Sequence, residues 1–386
     1  TCIKRWDISP ELRGAHDFAK YTRSKVRKAL PPEFSYIIDE LLHAQSDEDN
    51  NQYVYHEKII DTIIDIGSAD AFIEAYTKLI KRLAVDHLHI VGDIFDRGSN
   101  ADRIIELLMK YHSLDIEWGN HDILWMGAAC GSEACIANVL RNNIKYGNME
   151  ILENSYGISL RSLILFAEKL YPDLTPMKAA LKAISIILFK LEGQIIMRHS
   201  EYNMDDRLLL DKMDLGKGTV CIEGQEYDLN DTYFPTIDFK QPYVLSEEEQ
   251  KVMEDLRASF RNSHVLRDHV EFLYEKGSIY RVYNGNLLFH GCIPLDENGN
   301  LDGIQIGEKF YCGKEYMDYA QRVARLAFIE GYATRIVSGS NNKRSKKIAW
   351  VHTDLKNNHW TTIAYRSCQE EQESYQQFDE VTSVSL

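Results

Sequence analysis

Apolar residues recur every three or four positions across residues 69–84, which predicts an amphipathic helix. A short apolar run at Leu88–Val91 follows and stops at Gly92, as expected of a buried strand. After a second helical stretch, the apolar run Leu114–Trp118 stops at Gly119 in the same way. A helix, a strand and a polar segment therefore occur twice in succession. This order predicts an α/β fold with both polar segments at the carboxyl ends of strands, where open α/β sheets usually bind ligands.

The helix between these two strands has a recognisable start. Ser99 and Asp102 resemble the two halves of a capping box, and apolar residues follow at helical spacing. A further helix is expected to begin near Asp122.

The remaining pattern is mostly helical. Helices are predicted at 18–45, 159–171, 177–192, 246–275 and 315–330, strands at Ser278–Tyr283 and Leu287–His290, and a β-like interlude near 218–235. We therefore expect four regions. They are an N-terminal helical region at 1–68, an α/β core at 69–149 and 276–330, a mainly helical insertion or cap at 150–275, and an atypical tail, interpreted as flexible, at 331–386.

Composition narrows the class of protein. The 386 residues are 44% hydrophobic, enough for a sizeable core, and their net charge is −15. This acidity disfavours binding to nucleic acid or to an anionic membrane, and no apolar run is long enough to span a bilayer. The seven cysteines are irregularly spaced without a C-x-x-C pair, which indicates reduced thiols in the cytoplasm rather than disulfides or a zinc site. The composition leaves a homo-oligomer open.

The segment GDIFDRG, residues 92–98, places two carboxylates and an arginine at the end of a buried strand. Carboxylates held there need a metal ion or a paired cation. Asp93 is suited to bridge divalent cations, Asp96 to orient a histidine, and Arg97 to bind phosphate through its planar guanidinium. The alternative interpretation is an Asp-rich turn with an ordinary surface ion pair.

Two further motifs carry histidines. In GNHD, residues 119–122, the Asn120 side chain offers a carbonyl oxygen to a metal ion, and His121 is a candidate general acid if Asp96 holds its other nitrogen. His290 precedes a glycine at the end of a predicted strand, which suits a metal ligand. Taken alone, GNHD is also compatible with a simple helix N-terminus, and His290 with a core histidine bonded to backbone.

A basic run near the N-terminus supplies weaker candidates. Arg23, Lys25 and Arg27 are candidate substrate-binding residues for a phosphate group, and a solvated helix face explains them equally well.

These motifs, in this order, resemble the calcineurin-like metallophosphoesterases. The resemblance is closest to class III fructose-1,6-bisphosphatase and covers roughly residues 18–330. It rests on residues 21–31, Val85–Gly98, HSLDIEWGNHDILWMGA at 112–128, Tyr156–Ile158 and YNGNLLFHGCIPLDENGN at 283–300.

The resemblance implies a sandwich of mixed β-sheets flanked by helices, with a largely helical insertion. It also implies a hydrolase of carbohydrate metabolism, a phosphatase that removes the 1-phosphate of fructose 1,6-bisphosphate in gluconeogenesis. A phosphorylated sugar would be the substrate and a binuclear Mn²⁺ site the cofactor. Carried over to this chain, Asp93, Asn120 and His290 match metal ligands, His121 with Asp96 matches the general acid, and Arg97 matches a phosphate ligand.

Two of the family's metal motifs are not found. No Asp-x-His precedes Asp93, and no Gly-His follows residue 331, so the ligands of a second metal are not recognisable. The alternatives are therefore a truncated and catalytically impaired relative, or another metallophosphoesterase that acts on phosphoproteins or nucleotides.

Overall fold

The computed structural model describes residues 32–42, 50–85, 87–202, 204–222, 224–291 and 293–337, together with residue 28. The chain divides into two compact units, Thr1–Leu88 and His89–Leu386. Arg23, Lys25 and Arg27 lie outside the described residues, as does the predicted tail beyond residue 337.

The first unit is helical where it is described. A 3₁₀ turn at Pro32–Phe34 leads into helix α1 (Ser35–Leu42), followed by α2 (Asn50–Asp65) and α3 (Ala69–Ala84). The buried residues Ile38, Ala75 and Leu79 form its core. The rings of Phe34 and Phe72 close this core edge to face, with centroids 5.6 Å apart. The periodicity of residues 69–84 thus predicted both the helix and its buried face correctly.

Four small sheets are present among the described residues. Strand β1 (Leu88–Ile90) begins at the boundary between the units. The other strands are β2 (Leu114–Glu117), β3 (Met213–Asp214), β4 (Thr219–Ile222), β5 (Gln225–Asp228), β6 (Gly277–Ser278), β7 (Tyr280–Tyr283), β8 (Asn286–Phe289), β9 (Gly303–Ile306) and β10 (Lys309–Cys312). Their orders are β1-β2-β6, β3-β4-β5, β7-β8 and β9-β10. β2 pairs with β6 in parallel, with Ile116 opposite Gly277, whereas β7 pairs with β8 antiparallel.

Helices supply most of the second unit. They are α4 (Ala101–Met109), α5 (Asn120–Cys130), α6 (Glu133–Tyr146), α7 (Arg161–Leu170), α8 (Pro176–Arg198), α9 (Glu247–Asn262), α10 (His264–Lys276) and α11 (Gly313–Val337), with a π-helical turn at Ile151–Ser155 and 3₁₀ turns at Ser200–Tyr202, Asp205–Arg207 and Leu210–Lys212. α8 packs against α6 and α7, while α5 packs against α6, α9, α10 and α11. The fold class is therefore mixed α/β, with small sheets beside a large helical layer.

Several boundaries differ from the sequence prediction. The helix predicted at 246–275 is interrupted at Ser263, and α8 continues six residues beyond its predicted end at 192. α4 begins at Ala101 with Asn100 as N-cap and no side-chain cap, so the capping box predicted at Ser99 and Asp102 is wrong. Asp102 instead accepts a hydrogen bond from the Ser155 hydroxyl at 2.8 Å. α11 runs from Gly313 to Val337, seven residues beyond its predicted end at 330. Among the helices that are described, none is long and apolar enough to cross a membrane.

A buried ion pair anchors α8 to α9. Lys190 and Glu249 are 0% and 1% exposed, and their charged atoms are 2.7 Å apart. Glu249 also completes a capping box with Ser246 at the start of α9, and Lys190 donates to the Thr236 carbonyl at 2.6 Å. Both charges therefore have the hydrogen-bonding partners that a buried pair requires.

Glu192, on the same helix, gives a pH-dependent prediction. Burial raises its pKa from 4.5 to about 7, against the charges of Arg141 and Arg207 and a hydrogen bond from Asn138. A carboxyl group with a raised folded-state pKa stabilises the fold at low pH and loses that contribution as pH rises from 4.5 to 7. Glu192→Gln should therefore increase the free energy of unfolding by up to about 3 kcal/mol above pH 7, and change it little below pH 4.5.

Urea denaturation at pH 4.5, 6 and 8 measures this difference. Glu168→Gln, at an exposed position of α7, is the matched control and should leave the free energy of unfolding unchanged at each pH. A Glu192→Gln variant that is no more stable than the parent at pH 8 would contradict the assigned cause of the shift.

Candidate metal centre

The first motif leaves β1 through a tightly folded loop. Gly92, Asp93 and Arg97 have backbone φ angles of 85°, 53° and 47°. Such left-handed conformations are uncommon for residues other than glycine and concentrate at functional sites. A Cβ atom on Gly92 would overlap the Glu117 carbonyl and lie 2.6 Å from the Gly119 nitrogen. Gly92 therefore lets this loop pack directly on the end of β2.

The second motif has a glycine in the matching position. Gly119 precedes Asn120, the first residue of α5, and a Cβ atom on Gly119 would overlap the Asp93 carboxylate. Asp93 Oδ1 instead accepts a hydrogen bond from the His121 backbone N–H at 3.1 Å. The two glycines thus bring the Asp93 carboxylate to the N-terminus of α5, where helix N–H groups favour negative charge.

Asp122 holds the two loops together. Its carboxylate accepts hydrogen bonds from the backbone N–H groups of Asp93 at 2.8 Å, Gly119 at 2.9 Å and Phe95 at 3.3 Å. The side chain is fully buried, and burial raises its pKa to about 6 although the backbone hydrogen bonds act in the opposite direction. From the sequence alone, Asp122 is assigned no role beyond marking the start of a helix. An acidic residue three positions after Gly119 was nevertheless the signal of an N-terminal capping role.

His290, directly after β8, faces Asp93 from the other side. Its Nε2 atom lies 3.0 Å from Asp93 Oδ2, and its Nδ1 atom donates to the Val91 carbonyl at 2.5 Å. The hydrogen bond to Asp93 raises the pKa of His290 to about 9. Burial would raise the pKa of Asp93, but the hydrogen bond from His290 and the charges of both histidines hold it below its ordinary value. A backbone carbonyl at Nδ1 is a common way to orient a metal-binding histidine.

A second network supports the hairpin that carries His290. Asp115, on β2, is 2% exposed and contacts His89 Nδ1 at 2.5 Å and Arg281 Nε at 2.9 Å. These contacts join β1, β2 and β7, so the β7-β8 hairpin is fixed beside the strand ends that carry the first two motifs.

His121 and Arg97 both contact Asp96. His121 Nε2 lies 3.1 Å from Asp96 Oδ1, within ion-pair distance, and Arg97 Nε lies 3.4 Å from the same oxygen. The Arg97 guanidinium also lies over the Tyr146 ring, 5.1 Å from its centroid, while its side chain remains 57% exposed. Arg97 is therefore oriented but still accessible to an anion.

The arrangement suits a divalent cation. Ligand atoms of Asp93, Asp96 and His121 all lie within 4.8 Å of one another, and His290 adjoins Asp93. Carboxylate oxygens with imidazole nitrogens are a donor set that Mn²⁺ accepts. The structure thus brings together Asp93, Asp96, Arg97, His121 and His290, with Asn120 adjacent in the chain, whereas the basic candidates near the N-terminus lie outside the described residues.

Removing the buried carboxylate should disrupt the centre. Asp122→Ala would leave three backbone N–H groups without their acceptor, so we expect the free energy of unfolding to fall by about 3 kcal/mol. Mn²⁺ affinity should fall with it, because Asp93 loses its support. Urea denaturation and Mn²⁺ titration measure the two effects. The control is Asp102→Ala, which removes a single side-chain hydrogen bond. It should lower the free energy of unfolding by no more than about 1 kcal/mol. Equal losses in the two variants would argue against the organising role of Asp122.

Comparison with known proteins gives a consistent result. The family described as Firmicute fructose-1,6-bisphosphatase matches residues 17–337. A class 3 fructose-1,6-bisphosphatase of Clostridium novyi is 51% identical over 345 residues, covering 84% of this chain and 51% of the relative. Relatives of the same description from Clostridium beijerinckii and Listeria innocua are 49% and 48% identical, covering 86% and 82% of this chain and 52% of each relative.

The chain thus spans about half the length of the curated relatives it matches. No solved structure matches it.

Proposed function

This chain belongs to the Firmicute fructose-1,6-bisphosphatase family, and from that premise we propose that it hydrolyses the 1-phosphate of fructose 1,6-bisphosphate. The products are fructose 6-phosphate and inorganic phosphate. The observation that carries the proposal is the convergence of Asp93, Asp96, His121 and His290 at one edge of the β1-β2-β6 sheet.

The proposed cofactor is Mn²⁺, held by Asp93, Asn120 and His290. When bound, the cation supplies positive charge to the phosphate and activates water for attack. The protein's own groups account for the other steps. Arg97 binds a phosphate oxygen, and His121 protonates the sugar oxygen that leaves, held in orientation by Asp96.

Membership of this family also motivates proposals about the fold, the domain arrangement and the cellular role. We propose that the β1-β2-β6 sheet is part of a calcineurin-like sandwich of mixed sheets, and that residues 150–275 form a cap beside a core at 69–149 and 276–330. We also propose a cytoplasmic role in gluconeogenesis. The free thiols of Cys221 and Cys312 support a reducing compartment.

A substrate panel tests the activity. The chain, incubated with Mn²⁺, should release phosphate from fructose 1,6-bisphosphate at least about tenfold faster than from a nucleoside monophosphate or a phosphoserine peptide at equal concentration. The same reaction in excess chelator should stop. Faster turnover of the nucleotide or the peptide would instead favour a nucleotide hydrolase or a protein phosphatase.

A further inference from the structure

A small cleft of about 10 Å³, with room for a single water molecule or hydroxyl group, lies beside the candidate metal centre, and both Arg97 and His121 line it. The rings of Phe95 and Trp125 form part of its wall and stack on each other with centroids 4.6 Å apart. The cleft therefore joins the proposed phosphate ligand and the proposed general acid to an aromatic surface. A substrate whose phosphate binds Arg97 would lie across the opening of this cleft and place a hydroxyl group at it.

Helix α6 supplies the opposite wall. Asn142 and Asn143 follow Val139 by three and four residues, and Tyr146 follows them by four and three, so the four residues share one helical face, and all of them line the cleft. Among the described residues that line it, none is acidic, although the chain carries a net charge of −15. The lining thus offers one guanidinium, several amides and aromatic rings. That combination suits an anionic ligand that also carries hydroxyl groups.

Asn142 is held in one orientation by a relay of side chains. Its Nδ2 atom donates to Asn138 Oδ1 at 3.0 Å, and Asn138, which is 4% exposed, donates in turn to Glu192. One N–H of Asn142 is used in this relay. Its second N–H and its carbonyl oxygen are left for a ligand, since a primary amide has two donors and an acceptor.

Other cleft residues serve Arg97 rather than the ligand. Tyr146 lies under the Arg97 guanidinium, and Asn148 donates from Nδ2 to the Arg97 carbonyl at 2.8 Å. Asn143 is 8% exposed and donates to the Val139 carbonyl at 2.7 Å within its own helix. Asn142 is therefore the amide best placed to hydrogen-bond the part of the substrate beyond its phosphate.

We propose that Asn142 is a specificity-determining residue that hydrogen-bonds sugar hydroxyl groups of the phosphorylated substrate. The assignment rests on the proposed function for the identity of the substrate. It goes further by separating two tasks: Arg97 binds the phosphate, and Asn142 distinguishes a sugar phosphate from phosphate alone.

Ligand-observed NMR titrations test this division without requiring turnover. The full chain and Asn142→Ala are titrated with fructose 6-phosphate and, separately, with inorganic phosphate. The loss of a hydrogen bond should weaken fructose 6-phosphate binding about 3- to 10-fold and leave phosphate binding unchanged. Alanine is a strong helix former, so the variant should fold, and circular dichroism verifies this. Asn286→Ala, at the exposed first residue of β8, is the matched control and should bind both ligands normally.

Each result decides the assignment. Unchanged fructose 6-phosphate affinity in Asn142→Ala, equal losses for both ligands, or no fructose 6-phosphate binding by the parent chain would overturn it. Asn142-dependent binding without phosphate release from fructose 1,6-bisphosphate would leave the assignment standing and reject the proposed activity instead.

Discussion

Asp93→Asn is expected to lower kcat/KM for fructose 1,6-bisphosphate by about a thousandfold or more and to weaken Mn²⁺ binding in parallel. The Asp93 carboxylate receives the His121 backbone N–H on one oxygen and faces His290 Nε2 with the other. An amide has one acceptor oxygen instead of two and carries no charge. It would therefore present an NH₂ group toward the His121 N–H or His290 Nε2, both of which now face a carboxylate oxygen.

The fold should survive this change. Asn adopts the left-handed backbone more readily than most residues, so the φ angle of 53° at position 93 remains accessible. Asp173→Asn, at an exposed loop position, repeats the same substitution and should keep full activity. If Asp93→Asn turns over substrate at the parent's rate with Mn²⁺ present, Asp93 is not a metal ligand.

His121→Asn should separate proton transfer from metal binding. General-acid catalysis typically contributes 10²- to 10⁴-fold, so we expect turnover of fructose 1,6-bisphosphate to fall by about that factor. The sugar alkoxide is strongly basic and needs a proton as it leaves, whereas the nitrophenolate of p-nitrophenyl phosphate does not. Turnover of p-nitrophenyl phosphate should therefore fall by less than about tenfold.

Asp93→Asn provides the comparison for this experiment, because loss of a metal ligand should lower the turnover of both substrates to a similar extent. A pH profile adds a second readout: the alkaline limb that reports the acid should be lost in His121→Asn and retained in the parent. Equal losses for the sugar phosphate and the aryl phosphate in His121→Asn would show that the residue does not act as the acid.

Local patterns predicted much of what surrounds the site. β1 and β2 each stop close to the glycine that ended their apolar run, because a short buried strand must lead into a polar loop at the edge of a sheet. α3, α7 and α8 were expected from spacing alone, and their observed bounds differ by only a few residues except at the end of α8, which continues to Arg198. These features depend on neighbouring residues, so a single sequence contains the information.

Features that depend on distant residues were not predictable in this way. The acceptor role of Asp122 toward Asp93 and Phe95 spans almost thirty positions, and the contact between Arg97 and Tyr146 spans about fifty. Capping shows the same limit. Ser99 and Asp102 have the right spacing but form no capping box, whereas Ser246 and Glu249 do form one, with Lys190 holding the glutamate. Tertiary contacts decide which of several suitable local patterns is used.

The site residues themselves were nominated from motifs, and their roles remain proposals. The structure adds a geometric reason for the nominations, since His290 reaches Asp93 from about 200 positions away. It also adds roles that the motifs did not assign, namely that of Asp122, the last residue of GNHD, beneath the loops and that of Asn142 on the wall of the cleft.

The regiochemistry of phosphate release tests the central claim most directly. Fructose 1,6-bisphosphate is incubated with the chain and Mn²⁺, the reaction is stopped with excess chelator to remove the paramagnetic ion, and ³¹P NMR follows each phosphate. We predict loss of the 1-phosphate signal with growth of inorganic phosphate, while the 6-phosphate of the product is retained. Loss of the 6-phosphate signal, or release that continues without a divalent cation, would contradict a metal-dependent fructose-1,6-bisphosphatase built on Asp93 and His121.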